Sequence, residues 1–242
     1  EIPYKYFLMD SWWYYMGVGG GVSDWVGRSD VYPHGNAYVR NATGWPIMGH
    51  NRYWAIDNVY CSQNGGDYDF VVEKKGDPSD TAKRFKNFAW PTEQRFWDDI
   101  MYNSSQWGLF MYEQDWLGSE FADRVSALTR NASLARQWLR QMGAAAEKHG
   151  IAVQYCMPFA RHLLASLEVP AVTQARASDD YKPSDRQWAI GGQAVLMDAL
   201  GLAPSKDSFW SSAEQPGNPY EDTPFASEPF SELQAAVTSL SA

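Results

Sequence analysis

Cysteine is scarce in this chain. Cys61 and Cys156 are its two cysteines, too few for a disulfide framework, and they read as buried free thiols. Positive charge is also short: 20 Lys and Arg stand against 29 Asp and Glu, a formal charge of −9. Phosphate recognition needs clustered cations, no basic stripe occurs, and no nucleic-acid partner is expected. No run approaches the roughly 18 apolar residues of a membrane span. The glycine-rich stretch Gly17–Gly21 lacks both a P-loop lysine and dinucleotide-binding spacing, which argues against nucleotides. Nothing calls for a cofactor or a metal. A signal peptide is missing, yet Glu1-Ile-Pro3 reads as the start of a fragment, so this says little about compartment.

Aromatic side chains are abundant instead, with 12 Trp and 14 Tyr in 242 residues. They suit a large core or a surface that stacks flat ligands and sugar faces. Sequons at Asn41, Asn103 and Asn131, each in a loop or at a helix edge, raise the expectation of a glycoprotein of the secretory pathway, extracellular or lysosome/vacuole-like. The length fits one large α/β domain, and residues 1–242 are read as a single domain of a longer protein.

Periodicity supplies the organisation. Tyr4 to Met9 is a buried strand and Gly17 to Gly21 a loop; Asp24 to Thr43 reads as irregular. Gly44 to His50 is a second strand. Tyr68 to Glu73 is a third strand or part of a hairpin. From Pro91 the pattern is helical, with Phe96, Trp97, Ile100 and Met101 on one face. Ser133 to His149 is the clearest helix: Leu134, Trp138, Leu139 and Met142 share one face, Arg136 and Arg140 the other, and Gly150 is the stop. Strands follow at Ile151 to Cys156, Pro170 to Ala175 and around Leu202, and helices at Phe159 to Leu167, Gln187 to Leu200 and Ser231 to Leu240. Strand and helix alternating every 25 to 40 residues or so means parallel βα units, and the fold class is α/β. A (β/α)8 TIM-type barrel, apparently lacking its last strand, fits better than a doubly wound sheet.

Such barrels place chemistry at the C-terminal ends of their strands, and Asp10, His50, Asp115, Cys156 and Asp180 all fall there. The central stretch is Gly108-Leu-Phe-Met-Tyr-Glu-Gln-Asp115-Trp-Leu117, a short apolar run delivering Glu113 and Asp115 on the same side of a strand's pleat. Alone, Asp115 reads as a capping or ion-paired acid. With Asp180 on another strand it makes a candidate carboxylate pair for retaining glycoside hydrolysis, one attacking the anomeric carbon and the other handling the proton. His50 and Arg52 read as loop residues facing the same mouth, and Arg176 as a ligand for a sugar hydroxyl or a carboxylate.

The set Tyr6-Phe-Leu-Met-Asp-Ser-Trp12, Phe110-Met-Tyr-Glu-Gln-Asp115, Tyr155-Cys156 and Arg176-Ala-Ser-Asp-Asp180 resembles the catalytic barrel of the α-galactosidase (melibiase) clan of glycoside hydrolases. That family carries I-D-D-x-W at its first strand, a nucleophilic Asp ending the fourth, C-E-W ending the fifth and R-x-x-x-D at the sixth. The resemblance implies Asp115 as nucleophile, Asp180 as acid/base, Asp10 and Arg176 as sugar-binding groups, and an α-glycoside as substrate. Trp12, His50, Arg52, Glu113, Trp116 and Cys156 complete the expected substrate shell. Three positions depart from the pattern. Ser11 replaces a second acid, Met157 stands where a Glu would, and Glu113 occupies the place of a usual Lys. A carboxylate there is expected to repel the ionised Asp115 and raise its pKa.

A reading of another class also stands: an inactive barrel of this kind serving as a carbohydrate-binding or structural subunit of a larger assembly. Trp12, Trp13, Trp54 and Trp116 would then supply stacking faces without turnover. A thiol enzyme built on Cys156 and His162 fits poorly, because residues six apart across Pro158 seldom converge. Lys206 and Asp207 either reach the mouth or pair with each other, and Ser212 to Glu228 reads as a long loop.

Overall fold

A computed structural model describes residues 5–77, 87–121, 125–183 and 187–240. Tyr4, read above as the first strand residue, lies outside them. The chain divides into two compact units, residues 1–172 and 173–242.

The first unit runs β1 (Phe7–Met9), β2 (Tyr14–Met16), β3 (Val22–Gly27), α1 (Gly35–Thr43), β4 (Ile47–Asn51), β5 (Phe70–Lys74), β6 (Asn87–Pro91), α2 (Gln94–Gln106), β7 (Leu109–Gln114), α3 (Leu117–Ser119), α4 (Ser126–Arg130), α5 (Ala132–Lys148), β8 (Ala152–Tyr155) and α6 (Ala160–Ala165). Its sheet is parallel in the order β1-β4-β7-β8. Two antiparallel hairpins, β2–β3 and β5–β6, stand outside that sheet. The strand read at Tyr68 to Glu73 is therefore β5 of a hairpin. The stretch Asp24 to Thr43, read as irregular, instead contains the rest of β3 and all of α1.

Local chemistry explains these elements. β7 is buried at every position except Phe110, which suits a strand covered on both faces. α2 and α5 pack on one another. α2 buries Phe96, Trp97, Ile100, Met101 and Ser104; α5 buries Trp138, Leu139, Met142, Gly143, Ala145 and Ala146. The Asn131 side chain caps α5 by accepting the Ser133 N–H, and Gly150 ends that stretch at φ 66°, where a Cβ would be strained. The aromatic surplus goes mainly into the core: Trp13, Trp25, Trp54, Trp90, Trp97 and Trp138 are all buried, and Trp90 meets Trp138 at 4.4 Å between ring centroids. Trp13 and Trp54 are thus core residues and present no stacking face.

The second unit holds β9 (Val172–Arg176), whose first residue ends the preceding unit, then α7 (Gln187–Ala199), β10 (Ala203–Ser205) and α8 (Ser231–Leu240). β9 and β10 are parallel, with Arg176 opposite Ser205. Among the described residues the first unit thus has four parallel strands and the second two, short of the TIM-type count read from the sequence because Tyr68 to Glu73 lies in a hairpin. Among those residues, no helix is long and apolar enough to cross a membrane.

Candidate active site

Parallel register decides what meets at the C-terminal edge of the first unit's sheet. Met9 lies opposite Gly49, His50 opposite Glu113, and Glu113 opposite Gln154. Asp10, His50, Asp115 and Cys156 therefore arrive at one level. Paired residues on neighbouring strands project to the same side, so His50, Glu113 and Asp115 share a face.

His50 is the hub. Its Nε2 lies 3.1 Å from Asp115 Oδ2 and 3.8 Å from Asp10 Oδ1. Its Nδ1 lies 3.3 Å from the Tyr14 hydroxyl, and the two rings are parallel within 6°. Its main-chain carbonyl accepts two indole N–H groups, from Trp13 at 3.1 Å and Trp25 at 3.2 Å. These bonds give the buried indoles their polar partners and fix the β4 backbone under the histidine.

Asp115 has both oxygens engaged. Oδ2 faces His50, and Oδ1 accepts the Trp116 N–H at 2.7 Å. Trp116 adopts a left-handed conformation, φ 55°, and Met157, after Cys156, does likewise at φ 50°. Among the described residues these are the non-glycine residues with positive φ, and both directly follow a candidate site residue. Such backbone costs on the order of 1–2 kcal/mol and collects at functional sites.

Ionisation follows from this environment. Burial tends to raise the Asp115 pKa, but the His50 hydrogen bond and charge, the Cys156 thiol and the Trp116 N–H outweigh it, leaving Asp115 below the ordinary carboxylate range. Burial pushes Glu113 up to about 7, with Asp115 adding to the rise and His50 and the Cys156 thiol opposing it. His50 is raised: burial works against its charge, and hydrogen bonding to Asp115 together with the Glu113, Asp115 and Asp10 carboxylates prevails. The expected effect of Glu113 is thereby corrected. Two adjacent acids do split their affinities, but Glu113 takes the proton, because His50 and Trp116 donate to Asp115.

Arg52 lies over the Trp116 ring at 5.6 Å, and its guanidinium donates to the Gly20 carbonyl at 3.4 Å. Trp12 is 46% exposed and stacks on Tyr32 at 5.9 Å, so a ligand face is open there. Cys156 is buried and in no disulfide, as is Cys61. His162 does not meet it as a base: its Nδ1 accepts the Phe159 N–H, and burial, reinforced by the Arg161 charge, takes it down to about 3. Asn41 and Asn103 lie in the last turns of α1 and α2, while Asn131 caps α5.

Three site residues escaped sequence reasoning. Tyr14 read as part of an aromatic run, and nothing in one sequence ties it to a histidine 36 positions on. Asn51 is fully buried, and its amide oxygen and nitrogen find no hydrogen-bond partner among the described residues. Glu120 is buried, its Oε2 likewise without a partner among them, and burial lifts its pKa well above the usual value, Asp115 adding to the rise. A buried polar run after an apolar strand was their available signal.

In the second unit Arg176, mostly buried, gathers two acids. Its guanidinium donates to Asp180 Oδ1 at 2.6 Å and lies 4.0 Å from Asp207 Oδ2, and its Nε donates to the Ser178 carbonyl. The Asp180 side chain is 71% exposed. The Lys206 ammonium donates to the Ser208 carbonyl at 3.0 Å and sits 4.7 Å over the Tyr181 ring, so its contacts are carbonyl and aromatic. Within the stretch read as a long loop, Glu228 is fully buried and accepts the Tyr181 hydroxyl at 2.7 Å.

Comparison with known proteins finds no matching family model and no matching curated protein. Solved structures do match. A variant of a GH27 β-L-arabinopyranosidase from Geobacillus stearothermophilus, in complex with arabinose, superposes with TM-score 0.58 at 15% identity over 85% of this chain and 53% of that one. The wild-type form of that enzyme gives 0.54 at 14% identity, over 88% and 51%. An α-galactosidase from Thermus thermophilus, in complex with stachyose, gives 0.52 at 14%, over 95% and 50%. The chain thus spans about half the length of the structures it matches. The resemblance read from the sequence holds at the level of fold: this chain is similar in fold to GH27 glycoside hydrolases.

Proposed function

We propose that this chain carries the nucleophile of a retaining α-glycoside hydrolase, with Asp115 in that role. The observation supporting this is a carboxylate at a parallel strand's C-terminal end, kept ionised despite burial by the His50 imidazole, the Trp116 N–H and the Cys156 thiol. A nucleophile must be charged at working pH, and converging donors are how a protein achieves that. The fold likeness supports the assignment, because in barrels of this type such strand ends carry the chemistry.

In this proposal Asp115 attacks the anomeric carbon, and the glycosidic C–O bond breaks. Asp180 gives its proton to the departing oxygen and then takes one from the water that releases the sugar. Asp10, Arg52, Trp12 and Arg176 are the proposed sugar contacts, and a glycan or glycoside is the substrate class. A secretory setting with glycans on Asn41, Asn103 and Asn131 belongs to the same proposal.

One observation favours a second reading. Both Asp115 oxygens are engaged, and its side chain is only 10% exposed. A carboxylate held this way also fits a barrel that binds glycans without turnover, as a subunit of a larger assembly. A panel of aryl α-glycosides decides between them. Hydrolysis by the wild type that Asp115→Asn abolishes supports the enzyme; release of no aglycone by the wild type moves the assignment to the binding module.

A further inference from the structure

His50 faces titratable groups from the strands around it: Asp10 follows β1, Tyr14 opens β2, and Glu113 and Asp115 come from β7. Arg52, after β4 itself, acts on Tyr14, and the Cys156 thiol, after β8, hydrogen-bonds Glu113 and Asp115. Two indole N–H groups hold the main-chain carbonyl of His50, and the Tyr14 ring lies parallel to the imidazole. Its Nε2 looks at two carboxylates, 3.1 and 3.8 Å away, and its Nδ1 at a hydroxyl. A hydroxyl both donates and accepts, so Tyr14 serves a neutral or a charged ring alike, while carboxylates only accept and favour a donor. Glu113, directly opposite in register, has Oε2 without a hydrogen-bond partner among the described residues.

We propose that His50 is the positioning residue of this site, an imidazolium that carries the countercharge for Asp115 while Glu113 stays protonated beside it. This rests on the reading of Asp115 as nucleophile. The buried trio then holds one cation, one anion and one neutral acid, an arrangement without net charge in a place where net charge is costly. Raising the pH ionises Glu113 and strips His50. The site ends with two buried anions facing a neutral ring. His50 therefore sets the alkaline limit of the site, and Tyr14 turns from acceptor to donor as the Nδ1 proton leaves.

Imidazole nitrogen NMR on the intact protein tests this whether or not a substrate is known. The wild type is expected to show His50 with both nitrogens protonated, titrating above an unstructured histidine peptide in the same buffer. Asp115→Asn should lower that midpoint, and Glu113→Gln should lower it by less. A wild-type His50 already neutral at pH 6, or titrating at or below the peptide, overturns the proposal, even if Asp115→Asn fails to fold. With any glycoside that is turned over, kcat/KM should fall on the alkaline side in the wild type. His50→Gln keeps an N–H donor but cannot titrate, so that alkaline limb should shift; an identical limb in both proteins overturns the role. A wild type that hydrolyses no glycoside defeats the nucleophile reading and leaves the NMR result to judge His50.

Discussion

His50 Nε2 stands 3.1 Å from Asp115 Oδ2, both side chains nearly excluded from solvent, although 65 residues separate them in sequence. The pair exists because β4 and β7 are neighbours in register, so that His50 lies opposite Glu113 and Asp115 follows two residues on. Removing one member leaves a buried charge without its partner, which typically costs about 3–5 kcal/mol. His50→Ala should lose stability of that order in urea unfolding at neutral pH. A loss below about 1 kcal/mol would mean that the pair is not charged.

Glu113 gives a pH prediction with a definite sign. Its folded pKa of about 7 lies above the ordinary 4.5, because burial disfavours the charged form. Its contribution is complete below about 4.5 and is lost as pH rises through about 7. One pKa unit is about 1.4 kcal/mol, so the loss is on the order of 3–4 kcal/mol. Glu113→Gln should therefore flatten the decline in stability between pH 5 and 8. Unchanged pH dependence in the variant would place the proton elsewhere.

Packing of the first unit offers a test independent of chemistry. A Cβ on Gly143 of α5 would collide with Val169 Cγ1. Gly143→Ala should destabilise by about 1–3 kcal/mol, as overpacking does. Adding Val169→Ala should recover part of that loss, because the two changes share one contact. Thermal unfolding of the single and double variants gives the coupling, and simple additivity would contradict the contact.

The proton-donor proposal for Asp180 predicts a dependence on the leaving group. Positioned proton transfer contributes about 10²–10⁴ in rate. Asp180→Asn should lose that much on glycosides whose leaving group needs a proton and far less on highly activated aryl glycosides. Equal loss on both would make Asp180 a binding residue paired with Arg176.

Much of this site was legible because its carriers end short apolar strands. β7 announced itself by length and pattern, and Asp115, Glu113 and Cys156 followed from their places at strand ends. The missed parts depend on neighbours that a single sequence does not align. Asp24 to Thr43 looked irregular because glycine, proline and aromatics mask part of a hairpin strand and a short helix. Trp13 and Trp54 could be core or platform until burial settled it. The different protonation of Glu113 and Asp115 could not be read from two acids on one strand, since His50 on the adjacent strand breaks their symmetry.

Intact-protein mass spectrometry after incubation with activated 5-fluoro-α-glycosides tests the nucleophile assignment most directly. Retaining hydrolysis passes through a covalent glycosyl-enzyme, which such reagents trap. The expected result is a single fluoroglycosyl increment that maps to the peptide containing Asp115 and is missing from Asp115→Asn. An increment on another residue, or none with any of the sugars while the folded protein still binds them, would contradict the account.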